Sequence, residues 1–169
     1  MTVSAKFDMS LSVSQAGSNA FSSGPFWSAA TAFSKALANG TTANKVNLAY
    51  VAERTVASGA NDDIDVAGSL VDALGASIVM AEVVAILIKN EGKDGAPNTT
   101  DLTIGGSTSG VPGYTAAVAT ICPGGWYAIG SPDADGLAAV TPSTGDILRI
   151  TNAAGASNKY TIAILGRSA

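Results

Sequence analysis

The chain has 169 residues, 47% of them hydrophobic and only 13% charged, with nine Lys and Arg against thirteen Asp and Glu. That length suits one domain able to bury a core without disulfides or metals. The net charge of −4, with basic residues scattered from Lys6 to Arg167 and no run among them, argues against nucleic acid as a partner, because binding its backbone needs clustered Lys and Arg.

A charged fraction well below the usual figure of about 25% has two readings. Either the surface is polar without charge, built from Ser, Thr, Gly and Asn, or much of it is covered by partners. Cys122 is the single cysteine, so no intramolecular disulfide forms. No basic segment followed by an apolar one opens the chain, and the longest apolar stretch, Ile78 to Ile88, carries Glu82 and is too short to cross a bilayer. Cytoplasmic synthesis and no membrane partner are the expectations, which leaves the sequons at Asn39 and Asn98 unused.

In chain order, Ser, Ala and Gly dominate from Ser10 to Ala43, with a weaker apolar pattern than elsewhere. Phe26 to Leu37 fits a strand through Trp27, Ala29, Thr31 and Phe33, and a helical stripe through Phe26, Ala30, Phe33 and Leu37; the strand is preferred. Residues 1–43 read as an arm, or as an edge hairpin that becomes ordered on a neighbour. They hold Phe7, Phe21, Phe26, Trp27 and Phe33, five of the ten aromatic residues. A mere flexible tail has few aromatics, so these side chains are candidates to anchor in grooves on neighbouring subunits.

Residues 44–169 read as short strands cut by turn chemistry. Val46 to Val51 and Arg54 to Val56 precede a turn at Ser58 to Asp62, and Asp63 to Val66 then puts Ile64 and Val66 on one face. Leu70 to Gly75 fits a single helical turn closed by glycine. Ser77 to Asn90 is β-branched enough to predict a long buried strand, followed by a polar loop to Asn98. Leu102 with Ile104, Leu148 with Ile150, and Tyr160 with Ile162 and Ile164 alternate as strands do, joined by turns at Pro132 to Gly136 and Ala153 to Asn158. The spacing predicts an all-β protein, a sandwich or jelly roll. Its core is expected to hold Ile64, Val66, Ile86, Ile104, Leu148, Ile150, Ile162 and Ile164.

Catalytic chemistry finds little purchase. The chain has no histidine, which removes Ser-His-Asp and Cys-His pairs and the commonest zinc ligand. Gly105 to Gly110 lacks the lysine of a phosphate loop, and Thr108 stands at the nucleophile position of an elbow motif. Asn61 to Asp65 is the densest acidic cluster but lacks the glycine and distal Glu of a calcium loop. It reads as a solvated turn and strand face, with Asp63 and Asp65 opposite Asp62. Glu53, Glu82 and Glu91 form no evident acid/base pair. No enzymatic activity, cofactor or metal is expected. Cys122-Pro123-Gly124-Gly125-Trp126-Tyr127 reads as a tight turn before a strand, with Trp126 either a buried corner aromatic or a contact at a subunit interface.

Three strings occur in an order similar to that of a family of small tailed-phage structural proteins. They are Arg54 to Gly59 running into Asp63 to Leu70, then Pro123-Gly124-Gly125, then Asp146 to Asn152 with Tyr160 to Gly166. The resemblance covers about Ala43 to Ser168 and transfers no active site. It implies a virion component, a capsid cement or decoration protein that binds the major capsid protein and copies of itself as a homo-oligomer. A tail or head-fibre component with a host- or glycan-binding role is the alternative.

Overall fold

The computed structural model describes residues 2–18, 24–68 and 70–169. The structure is all-β, with no helix among the described residues. A long antiparallel hairpin of β1 (Ala5–Ala16) and β2 (Phe26–Asn39) comes first, and the short β3 (Lys45–Val46) runs parallel to the end of β2. Then come β4 (Leu48–Val56), β5 (Asn61–Asp65), β6 (Leu70–Val71), β7 (Ser77–Ile78) and β8 (Glu82–Lys89). The last six are β9 (Leu102–Gly105), β10 (Ala117–Ile121), β11 (Trp126–Gly130), β12 (Ala138–Ala139), β13 (Ile147–Asn152) and β14 (Asn158–Arg167).

Two antiparallel sheets make a sandwich-like body. One runs β11-β8-β14-β4, with β12 also on β8, and the other runs β10-β9-β13-β5. Period-2 alternation decides which side chains meet between them. Ile86, Ile88, Tyr160, Ile162 and Ile164 come from the first sheet and Ile64, Leu102, Ile104, Leu148 and Ile150 from the second, all essentially inaccessible. The core expected from the sequence is buried throughout, Val66 included.

Two local expectations change, and one is borne out. Leu70 to Gly75 is no helical turn but part of the β6–β7 hairpin. Asp72 Oδ1 accepts from Leu74 N at 2.8 Å and Ala76 N at 2.9 Å, and Gly75 takes φ +85°, so side-chain capping and left-handed backbone close a tight turn instead. Phe26 to Leu37 is a strand and its helical stripe is not used. Ser77 to Asn90 is two strands, β7 and β8, rather than one.

A β-bulge in β8 fixes where the hairpin meets the body. Gly166 pairs with Val83 and Leu165 with Ala85, so Val84 has no partner on β14. The extra residue lets Val83 and Ile86 both enter the main core while Val84 turns to the opposite face. There it joins Leu37 and Val46 in a second, smaller cluster at the base of the hairpin. Gly166 suits this place because Met80 Sδ would lie only 2.6 Å from a Cβ there. The apolar run Val83–Ile88 is continuous because its strand is covered on both sides here.

Buried asparagines fasten one end of the body. Asn90 Nδ2 donates to Thr100 O and Ile121 O, both at 2.9 Å. Asn152 Nδ2 donates to Ala57 O at 3.1 Å and Ala156 O at 2.7 Å, while Thr100 Oγ1 donates to Asn152 Oδ1 at 2.6 Å. These bonds satisfy carbonyls in the turns and at the end of β10.

Ile150 tests the face assignment, being fully buried opposite Ile104. Ile150→Ala is expected to lower stability by about 2–5 kcal/mol in chemical denaturation; an unchanged midpoint contradicts the packing described.

Candidate functional site

The hairpin is built by strict alternation. Along β1, Phe7, Met9, Leu11 and Val13 point to one side and Lys6, Asp8, Ser10, Ser12 and Ser14 to the other. The register sets Met9 against Phe33, Leu11 against Thr31, Val13 against Ala29 and Gln15 against Trp27. The opposite face pairs Ser10 with Ala32, Ser12 with Ala30 and Ser14 with Ser28. One face is therefore mainly apolar, with Lys35 opposite Phe7 and Gln15 opposite Trp27, and the other is mostly small and polar up to Phe26.

Only the base of the apolar face is covered. Leu37 is buried against Val46 and Val84, with Val3, Ala5 and Leu165 around them. Farther out, Met9, Leu11, Val13, Trp27 and Phe33 remain 44–60% exposed. Between these two zones lies an open groove of about 330 Å³, lined by Phe7, Met9 and Phe33 from the hairpin and by Val84, Ile129 and Pro132 from the sandwich. A second groove lies on the other side of Phe7 and Met9, against Leu87, Lys89 and Trp126.

The residues singled out from the sequence divide accordingly. Phe7 is half-buried between the two grooves, and Phe33 and Trp27 stand on the exposed apolar face. Phe26 projects from the opposite face beside Ala16, where the register places it. Phe21 lies outside the described residues. Trp126, the first residue of the edge strand β11, is 70% exposed, which corrects the reading of a buried corner aromatic. Sequence reasoning passed over Met9, Leu11 and Val13. Their signal was present as unbroken apolar/polar alternation from Lys6 to Ser14, hidden among Ser residues that lower the mean hydropathy.

Arg167 sets how the hairpin meets the body. Its side chain is fully buried, yet all five N–H donors are used. Nε donates to Lys45 O at 3.0 Å; Nη1 donates to Glu82 Oε2 at 2.8 Å and Ala134 O at 3.0 Å. Nη2 donates to Asp133 O at 2.6 Å and Pro132 O at 3.3 Å. One guanidinium thereby ties β3, β8 and the loop carrying Pro132 to the last strand. Asn44 N adds a 2.6 Å bond to Pro132 O.

The acidic cluster belongs to the frame. Arg54, inward-facing at the edge of the first sheet, donates from Nε and Nη2 to both oxygens of Asp62 at the edge of the second, at 2.7 and 2.5 Å. Tyr160 Oη donates to Asp62 Oδ2 at 2.7 Å, and Arg54 Nη1 donates to Tyr50 Oη at 2.9 Å. Partial burial pushes the Asp62 carboxyl up, but the Arg54 and Tyr160 hydrogen bonds outweigh it and hold its pKa below the usual carboxylate range. Burial, with the bond to Asp62, drives the Tyr160 hydroxyl far above neutrality. At neutral pH the cluster is thus a carboxylate held by fixed donors that bridges the two sheets. Asp63, opposite Arg149 in the register, is bonded by its Nε at 2.6 Å and Nη2 at 2.7 Å. Asp62 and Asp63 thus each meet an arginine from another strand, the second pair still exposed, while Asp65 Oδ1 accepts from Ala67 N at 2.9 Å.

Asp62 has its pKa lowered by folding, so its contribution to stability is present above the unfolded-state value of about 3.9 and is lost as pH falls through the depressed folded value. Urea midpoints for the wild type are expected to drop on acidification below pH 4 more steeply than those of Asp62→Asn; parallel pH profiles contradict this. Arg167→Ala leaves Glu82 and four carbonyls without their donor and is expected to cost about 3–5 kcal/mol. Arg167→Lys restores little of it in the same denaturation assay, since an ammonium cannot reach five acceptors. Comparison of the chain with protein-family models, with curated proteins and with solved structures finds no match.

Proposed function

We propose that this chain is a structural protein of a tailed-phage virion, a capsid cement that stabilises the head by packing on the shell and on copies of itself. The observation that carries the reading is the hairpin, which holds five large apolar side chains 44–60% exposed on one face, with Lys35 the only charge beside them, while its base is packed on the body. A face of that kind marks a contact with another macromolecule. The scarcity of charge, at 13% of residues, fits a surface closely packed by neighbours, and the likeness of residues 43–168 to small phage structural proteins supplies the kind of assembly.

One observation favours the alternative of a fibre component that recognises a glycan. Trp126 is 70% exposed and borders a groove that also holds Lys6, Asp8 and Lys89, an aromatic plane with polar groups beside it.

Fractionated virions separate the two. A cement protein is expected in purified heads at a copy number comparable to that of the major capsid protein, and heads lacking it should release DNA at lower temperature. Recovery in a few copies with tails or fibres instead supports recognition, and absence from virions rejects both.

A further inference from the structure

We propose that the apolar face of the hairpin packs against the same face of a second copy, joining two chains through a twofold-symmetric, four-stranded interface. The pairing stands independently of whether the larger assembly is a phage head.

A two-stranded hairpin is at best marginally stable alone in water, and becomes stable when a face is packed. Here the base is packed, but beyond Phe33 the face stays exposed among the described residues, although alternation continues to Trp27. What covers the face must match its chemistry. Lys6 and Asp8 pair with each other at 3.0 Å on the opposite side. The exposed rows from Met9/Phe33 to Val13/Ala29 bear no charge; Thr31 within them and Gln15 opposite Trp27 are polar, and Lys35, opposite Phe7, borders the face at its inner end. With Lys35 as its one bordering cation, the face gives little purchase to an acidic peptide or to anionic lipid, which call for clustered cations. An uncharged apolar sheet face is the fitting complement, and an identical face supplies one.

The residue spacing also closes under a twofold axis. With two hairpins face to face and antiparallel, an axis passing between the Leu11/Thr31 and Val13/Ala29 rows sets each Leu11/Thr31 row on the partner's Val13/Ala29 row. The same operation brings each Gln15/Trp27 row over the partner's Met9/Phe33 row, Trp27 on Phe33. Leu11 then meets Val13 and Thr31 meets Ala29 at the centre, while Trp27 meets Phe33 at both ends, with Gln15 beside it over Met9. Such a self-complementary contact is closed and does not propagate.

The area suffices. Trp27 and Phe33 can each bury roughly 150–250 Å² and Met9, Leu11 and Val13 less, so five at about half exposure offer roughly 400–500 Å² per copy, and a pair removes about 800–1,000 Å², the size of a weak, reversible interface. The adjoining groove extends the surface.

Sedimentation of the full chain over a range of concentrations is the test. The wild type is expected to form dimers that dissociate on dilution. Leu11→Asp is expected to weaken association by more than about tenfold, because its carboxylate would be buried without a partner. Ser12→Asp, one residue away on the opposite face, should leave association unchanged. Because a charge can also unravel the hairpin, a second measurement leaves its face intact. In Trp126→Phe, Trp27 is the sole tryptophan, and its emission is expected to shift to the red on dilution with the midpoint of dimer dissociation. A monomeric wild type at every concentration, a Leu11→Asp variant that associates as the wild type does, or a Trp27 emission indifferent to dilution each overturns the pairing. Binding to heads is read in a separate assay, so loss of the pairing leaves the virion reading standing, and the reverse.

Discussion

The arrangement of this protein depends on one buried cation. Arg167, near the end of the chain, has no contact with solvent, and its five donors are answered by one carboxylate and four main-chain carbonyls. Removing a guanidinium from water is costly unless every donor finds an acceptor. The acceptors lie on three separate segments: β3 at Lys45, the loop from Pro132 to Ala134, and Glu82 where β8 begins. Satisfying Arg167 fixes all three at once. The groove and the hairpin base inherit their geometry from that condition.

The bulge in β8 works at the same place. A regular strand buries alternate residues on one face only. With Val84 set outside the ladder, the strand supplies Val83 and Ile86 to the main core and Val84 to the contact with Leu37 and Val46. The hairpin is therefore docked by apolar packing on one side of the strand and by the Arg167 network beside it. It leaves the body at a fixed position, with its apolar face carried outward. A rigid exit matters to a packing function, since presenting a face in one orientation lowers the entropy lost on association.

Elsewhere polar groups close what the sheets leave open. Arg54, Asp62, Tyr50 and Tyr160 bridge the sheets at one corner, and the buried asparagines hold the turns at one end. Both are bonded networks in partly dry surroundings, where a missing partner is expensive. They account for most of the titratable and amide side chains that a search for chemistry would single out, and they give those side chains structural work. The surface left over is mostly neutral and includes large apolar side chains on the hairpin, which is the condition from which both the virion reading and the pairing of hairpins arise.

The sequence by itself determined whatever depends on near neighbours along the chain. Alternation of period two identified the strands and the inward residues from Ile64 to Ile164, because a strand sends successive side chains to opposite faces whatever lies around it. The same rule made the hairpin's apolar face legible in principle, from Phe7 to Val13. Leu70 to Gly75 misled because a capped turn and a helical turn share Asp and Gly at similar spacing, and only the pairing of Leu70 with Ile78 separates them. Tertiary structure alone decided the rest. That Asp62 meets Arg54 and Asp63 meets Arg149, that Arg167 is buried rather than solvated, and that Trp126 is exposed at an edge all depend on which strands become neighbours. Such pairings join residues up to 122 positions apart, and no local pattern encodes them, since the partner's position is set by register and by the packing of the two sheets.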